Sequence, residues 1–176
     1  MELRELIRKR HSVAKYSKDA VDPKVIVELL DDAVYAPNHK MREPWRFILI
    51  SHERAKFLKE EVRHLLDPDM EKKFDHIFSA PMVIAFVNQL TENLVDELED
   101  LQATAAVIQN FMLLALERGL GSFWKTPAMI ESDAFKDYLG LKTNEIIVSL
   151  VMVGYPLLDQ GHPKKRIPAH QKTTIY

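Results

Sequence analysis

The chain has 176 residues, about the length of one globular domain, and 47% of them are hydrophobic, which is typical of a folded protein. A net charge of −2 predicts no general attraction to nucleic acid or to an anionic membrane. The lack of cysteine excludes disulfides, thiolate metal sites and thiol nucleophiles. The first ten residues, MELRELIRKR, have no apolar core like that of a signal peptide, which predicts a cytoplasmic protein. We expect one domain over residues 1–176.

The N-terminal segment is predicted to form a short amphipathic helix over residues 2–9, followed by a basic cluster. Two interpretations of Arg10, His11 and Ser12 are open at this point. They form either a solvated helix end or an anion site. In the second case the Arg10 guanidinium binds a phosphate in a bidentate manner, and the Ser12 hydroxyl donates a hydrogen bond to it.

A chemically rich loop follows the next helix. That helix is predicted over residues 23–34, because proline suits its first turn and the proline at 37 ends it. The loop, residues 36–47 (APNHKMREPWRF), leads into a strand over 46–51, and we interpret it as a ligand site. The alternative is a capping turn in which His39 satisfies backbone groups.

The middle of the chain is predicted to contain three helices and a buried strand. Charged helices are expected over residues 52–66 and 69–78, each with a solvent face. The continuous apolar run at 82–88 predicts a strand covered on both faces. The helix at 97–118 is apolar on nearly all sides, which predicts a central helix packed on every flank. Polar residues interrupt its apolar runs well short of the ~20 residues that a bilayer requires, so we expect no membrane span.

The C-terminal third is predicted to hold glycine turns, a short helix and a strand. The segment GLGSFWKT at 119–126 carries two glycines that permit close approach of a ligand. A capped helix is expected over 132–139 and a strong strand over 145–153. A basic stretch occupies 162–166. The tail at 169–176 is either a frayed end or an added strand, in this chain's sheet or a partner's.

Four motifs occur in order along the chain: RHS at 10–12, APNHKMREPWRF at 36–47, GLGSFWKT at 119–126, and GYP followed by KKR within 154–166. The chain has no dinucleotide fingerprint, no phosphate loop and no arrangement of histidines with carboxylates that indicates a metal. A phosphate joined to a flat aromatic ring would suit the basic and aromatic stretches. With these motifs the chain resembles the nitroreductase-like family of FMN flavoproteins, and most of all its small YdjA-type branch of NAD(P)H nitroreductases.

The resemblance implies an α+β fold with a central, mainly antiparallel sheet flanked by helices. It also implies an intertwined homodimer with the FMN sites at the subunit interface and the C-terminal segments wrapped around the partner. The implied cofactor-binding residues are Arg10, His11 and Ser12 at the phosphate and ribityl chain, Arg166 as a second phosphate contact, Trp124, Lys125 and Thr126 beside the isoalloxazine ring, His39 at the flavin of the other subunit, and Tyr35 at the mouth of the site.

The activity that the resemblance implies is that of an FMN-dependent NAD(P)H oxidoreductase of the nitroreductase or quinone-reductase type. FMN would pass hydride from NAD(P)H to a small aromatic or quinone-like acceptor in a ping-pong cycle. The residues name no catalytic acid or base. Two alternatives are a flavin-binding protein without efficient turnover, used for sensing or storage, and a structural dimer whose basic stretches are solvated.

The chain departs from the family's pattern at two places. The family's N-terminal motif is often followed by a second arginine where this chain has Ala14, and Lys15 is an imperfect substitute. Several members have a glycine-rich run where this chain has Lys125, Thr126 and Pro127. The second departure affects which group of this chain would hydrogen-bond to flavin N5.

Overall fold

The computed structural model describes residues 2–62, 64, 68–157 and 164–176. Within them the helices and strands alternate around one sheet. The elements are α1 (Leu3–Lys9), α2 (Pro23–Ala33), β1 (Trp45–Ser51), α3 (His52–Val62), α4 (Pro68–Phe78), β2 (Met82–Gln89), α5 (Leu94–Glu117), β3 (Gly121–Lys125), α6 (Asp133–Tyr138) and β4 (Glu145–Gly154).

The predicted helices are confirmed, but the predicted cap of α6 is wrong in one respect, because the Ser132 side chain makes no capping hydrogen bond. The helix α2 starts at Pro23, and the Asp22 carboxylate accepts the Lys24 N–H at 2.9 Å. Gly140, with φ 67°, follows α6 in the left-handed conformation that suits glycine after a helix. Residues 63, 65 and 66 of the helix predicted over 52–66 lie outside the described residues.

The four strands form one antiparallel sheet in the order β1-β2-β4-β3, which confirms the predicted sheet type. The strand β2 is buried on both faces, as predicted. Its residues Met82, Ile84 and Phe86 pack toward α2 and α5. The alternate residues Val83 and Ala85 pack toward α3, α4 and α6. The fold therefore has three layers, with the sheet in the middle.

The strand β3 corrects the prediction of two glycine turns at 119–126. Only Gly119, with φ 78°, is in a turn, whereas Gly121 begins the strand. Because β3 is an edge strand of the sheet, its side away from β4 is accessible to other segments of the chain.

The central helix α5 packs on the sheet through residues such as Val107, Phe111 and Ala115, each 0% exposed. The prediction that it is covered on every flank is wrong in its first turns. There Leu94 is 80% exposed and Leu98 is 56% exposed. One chain therefore leaves apolar surface on α5 without a covering element.

The C-terminal segment, residues 164–176, is exposed throughout and contains a short 3₁₀ turn at Ala169–Lys172. Its final residues form no strand with the sheet of this chain. Among the described residues, no helix is both long enough and apolar enough to cross a membrane.

Candidate functional site

The segment after α1 lies along the open edge of β3. Ser12 and Ser122 form a parallel β-bridge, and the Val13 N–H donates to the Ser122 carbonyl at 3.0 Å. Gly121 permits this approach, because a Cβ atom there would lie 2.8 Å from the Val13 Cβ. The bridge therefore fixes the basic cluster at the start of β3.

Tyr16 holds the same segment from its C-terminal side. Its hydroxyl donates to the Val13 carbonyl at 2.5 Å and lies 3.4 Å from the Met152 carbonyl of β4. The next residue, Ser17, donates its N–H to the Tyr155 carbonyl at 2.8 Å. Burial raises the pKa of Tyr16 well above the ordinary value for a tyrosine. Sequence reasoning missed this residue.

The basic cluster keeps positive charge available at this edge. Among the described residues no carboxylate pairs with Arg10, whose side chain is half-buried, and the Ser12 side chain is exposed. The Nδ1 atom of His11 lies 2.9 Å from the Lys9 carbonyl, which fixes its ring. An unpaired guanidinium beside an exposed hydroxyl is a suitable donor set for a phosphate.

A cleft of about 410 Å³ opens at the other end of β3. Its lining consists of residues from the C-terminal half of α4, from β3 and from the segment after it: Lys73, His76, Ile77, Phe123, Trp124, Lys125, Thr126 and Pro127. The Lys125 ammonium lies 3.7 Å from the centre of the Phe123 ring. The lining thus combines aromatic surface with cations, and the described residues contribute no carboxylate to it.

The cleft contains residues that sequence reasoning missed. Lys73 and His76 stand three positions apart on α4, so they share a helix face, and the Lys73 ammonium pairs with Asp69 at 2.6 Å. Partial burial, together with the positive charge of Lys125, lowers the pKa of His76 below its ordinary value. The three-residue spacing of Lys73 and His76 was the signal in the sequence for a shared face. The strand that this face meets, β3, was not predicted, so the signal had no partner.

The loop that carries His39 lies at the N-terminal end of α5. His39 Nδ1 is 3.9 Å from Glu99 Oε2. Three residues of this loop that are not glycine, Lys40, Met41 and Glu43, have φ between 46° and 53°. A left-handed conformation costs roughly 1–2 kcal/mol per non-glycine residue, so the surrounding structure must hold the loop in place.

The predicted site residues therefore fall into separate groups within one chain. The cluster at 10–12 and the segment 124–126 lie along the same strand. His39 is near Glu99, whereas the basic cluster lies beside Ser122, which follows the turn in which the Leu120 N–H donates to the Ala115 carbonyl. Glu99 and Ala115 are ~24 Å apart along the axis of α5 at 1.5 Å per residue. Within one chain, His39 and the basic cluster therefore lie far apart.

Two further predicted residues are exposed and lie apart from the cleft lining. Tyr35, just after α2, is 88% exposed. Arg166 donates to the Lys164 carbonyl at 2.8 Å, and the hydrogen bonds found in residues 164–176 run within that segment. Residues 162 and 163 of the predicted basic stretch lie outside the described residues. In the described ranges, no group of three or more histidines and carboxylates is arranged to hold a metal.

The comparison with known proteins identifies the family of this chain and agrees with its fold. The sequence profile of the nitroreductase family matches residues 7–155, and the chain belongs to that family of oxidoreductases. The protein YfhC of Bacillus subtilis, named as an NAD(P)H nitroreductase, is 33% identical over 98% of this chain and 93% of its own. YdjA of Escherichia coli, with the same designation, is 26% identical over 90% of each chain. The resemblance to the YdjA-type branch is confirmed.

Solved structures confirm the nitroreductase-like fold. A nitroreductase-like family protein from Bacillus cereus superposes with a TM-score of 0.90 and 33% identity, over 100% of this chain and 96% of its own. The FMN- and NADPH-dependent nitroreductase NfnB from Sphigopyxis sp. strain HMH superposes with a TM-score of 0.82 over 100% of this chain and 99% of its own. At 16% identity, NfnB shows likeness of fold alone.

Proposed function

We propose that this chain is an FMN-dependent NAD(P)H oxidoreductase that reduces a small aromatic or quinone-like acceptor. The observation that carries the proposal is the bridge between Ser12 and Ser122. It sets at one end of β3 a cationic cluster for which the described residues supply no carboxylate partner, and an aromatic, cation-lined cleft lies at the other end. A mononucleotide with a flat ring requires these two surfaces at a fixed separation.

The dimensions of this edge fit such a cofactor. Ser122 and Thr126 are ~13 Å apart along an extended backbone at 3.3 Å per residue. Arg10 and Ser12 would hold the phosphate, and His11 would contact the ribityl chain. The segment from Trp124 to Thr126 would border the isoalloxazine ring. A cleft without carboxylates suits a cofactor that gains negative charge on reduction.

When bound, FMN would supply the redox chemistry, the transfer of hydride from NAD(P)H to the acceptor in a ping-pong cycle. The residues of the protein would bind the cofactor, orient it and balance its charge. The Lys125 ammonium, which Phe123 holds in place, would supply positive charge beside the isoalloxazine ring. His76, whose pKa is lowered, is mainly neutral at pH 7 and adds a hydrogen-bonding ring without another full charge.

The site is proposed to be completed by a second copy of the chain. His39 lies ~24 Å along α5 from the level of the basic cluster, so it would serve the partner's flavin, and Tyr35 would lie at the mouth of the site. The exposed apolar residues Leu94 and Leu98 on α5 support burial against that partner. Exposed residues of the tail, including Ile167 and Arg166, would extend over the other subunit, with Arg166 as the second phosphate contact.

The visible spectrum of the purified protein tests the proposal directly. We expect flavin absorption bands after incubation with FMN, and bleaching of those bands when NADPH or NADH is added anaerobically. A protein that stays colourless in excess FMN would refute the proposal. A protein that binds FMN tightly but is not bleached by either nucleotide would instead be a flavin-binding protein for sensing or storage.

A pair of arginine variants tests the phosphate end of the site. Arg10→Met removes a charge-assisted hydrogen bond worth about 1.5–3 kcal/mol, so we expect FMN to bind roughly 10- to 100-fold more weakly. Arg8→Met is the matched control, because Arg8 is an exposed arginine of α1 outside the proposed site. Equal FMN affinities of the two variants would argue that the cluster is a solvated helix end.

A further inference from the structure

The loop that carries His39 is strained and has little burial of its own to compensate. Lys40, Met41 and Glu43 are in the left-handed region, and Met41 is 73% exposed. Inside the loop, the Asn38 side chain accepts the Glu43 N–H at 3.0 Å, which closes the turn. A strained surface loop without buried side chains requires an anchor elsewhere.

That anchor is Arg42, which joins the loop to the start of α5. Its Nε atom donates to Asp100 Oδ1 at 2.9 Å. Its Nη2 atom lies 3.0 Å from Glu99 Oε2 and 3.3 Å from the Asp96 carbonyl. The Asp100 side chain is only 5% exposed, so its charge depends on this pairing. Because the planar guanidinium of Arg42 contacts three residues of α5, it fixes both the position and the orientation of the loop.

The same contacts leave His39 available. Arg42 and His39 share one carboxylate oxygen, Glu99 Oε2, but at 3.9 Å the imidazole is beyond hydrogen-bond range. In the described part of the chain, the His39 ring makes no hydrogen bond, and its side chain is 45% exposed. Arg42 therefore occupies the acid that would otherwise draw His39 back onto α5.

We infer that Arg42 is a positioning residue for His39: it clamps the strained loop of residues 38–43 to α5 and keeps the imidazole free for the flavin in the partner's site. The inference rests on the proposed function, in which His39 contacts FMN across the dimer interface. Arg42 itself touches acids of its own chain and acts on the cofactor through His39.

A double-mutant cycle tests this role with FMN affinity as the readout. We expect Arg42→Met to raise the Kd for FMN roughly 10-fold, the effect of one lost hydrogen bond to the ligand. In a His39→Ala background the same substitution should change the Kd less than about twofold, because the residue through which it acts is gone. If Arg42→Met and His39→Ala changed the free energy of FMN binding additively, the inference would be overturned.

A second arginine provides the matched control for stability. Arg46 binds Glu145 through two contacts, at 2.9 and 2.6 Å, and its pairing partner is likewise buried. Arg46→Met should lower the Tm as Arg42→Met does, yet leave the Kd for FMN within about twofold of wild type. If Arg46→Met weakened FMN binding as strongly, the effect would be one of general stability and the inference would fail.

The outcomes separate the inference from the function on which it rests. Wild-type protein that binds no FMN overturns both. Wild-type protein that binds FMN, together with an Arg42→Met variant of unchanged affinity, overturns the inference alone. If Arg42→Met does not fold, Arg42→Lys carries the same cycle, because lysine keeps the charge but lacks the planar fork.

Discussion

The substitution Gly121→Ala is the most direct structural test of the site, because it displaces the basic cluster without removing any of its groups. The added Cβ would lie 2.8 Å from the Val13 Cβ and 2.9 Å from both of its γ carbons. Carbon atoms pack at about 3.5–4.0 Å, so Val13 and the adjoining Ser12 must move away from β3 by roughly 0.7–1.2 Å.

Two effects of this displacement should be measurable. Overpacking of this kind costs about 1–3 kcal/mol of unfolding free energy. For a domain of this size, calorimetry should show a Tm lower by roughly 2–4 °C for each kcal/mol. A shift of nearly 1 Å also spoils the hydrogen-bond geometry of Ser12 and Arg10 toward a phosphate. We therefore expect the Kd for FMN to rise at least about 10-fold in a fluorescence titration.

A second glycine and a rescuing substitution make the test specific. Gly140→Ala introduces strain at φ 67° with no atom within 4 Å of the new Cβ, so it should lower stability and leave FMN affinity unchanged. Val13→Gly combined with Gly121→Ala removes the clash and should restore binding. Unchanged FMN affinity in Gly121→Ala, despite a lower Tm, would refute the idea that this bridge positions a phosphate site.

Three further substitutions test other contacts. Tyr16→Phe removes the hydroxyl bonds that hold the N-terminal segment and should cost about 0.5–1.5 kcal/mol at pH 8. The difference in unfolding free energy between wild type and Tyr16→Phe should shrink above about pH 10. There the unfolded chain ionises Tyr16, whereas the folded chain, with its raised pKa, retains the proton. Denaturant titrations at pH 8 and above about pH 10 measure this change. Lys125→Met should raise the pKa of His76 toward its ordinary value in an NMR titration, and an unchanged pKa would refute the coupling of the two groups in the cleft. Leu98→Glu should yield a monomer by sedimentation that no longer retains FMN, whereas Phe57→Glu on α3, at a position 64% exposed, should leave the oligomeric state unchanged; a Leu98→Glu dimer would refute burial of α5 against a partner.

Most helices and strands were predictable because their signals are local. The helix α2 has its proline and aspartate cap, and β2 has a continuous apolar run. The strand β3 was missed because its five residues include a glycine and follow another, which favours a turn. Its conformation depends on pairing with β4, a contact remote in sequence. Predicting this strand therefore required knowledge of the fold.

The composition of the site was easier to predict than its arrangement. Arg10 and Lys125 were identified as candidates from charge and neighbouring motifs. The bridge that sets the cluster beside β3 has no signature in either segment alone. His76 was not predicted as a site residue, because the charge of α4 indicated a solvent face, although one side of that helix meets the cleft. The clamp formed by Arg42 was missed as well, since its acids lie more than 50 residues away in sequence.

The exposed flank of α5 has a consequence for the geometry of the proposed dimer. Apolar residues on every side of a helix indicate burial, but they do not say whether the same chain or a second copy covers them. In an isologous dimer that pairs the two α5 helices about a two-fold axis perpendicular to them, the N-terminal end of each helix lies near the C-terminal end of the other. The loop with His39 would then meet the partner's basic cluster and β3, and it would do so twice. The separation of ~24 Å along α5 between His39 and the basic cluster of one chain would thus allow two chains to complete two sites at once.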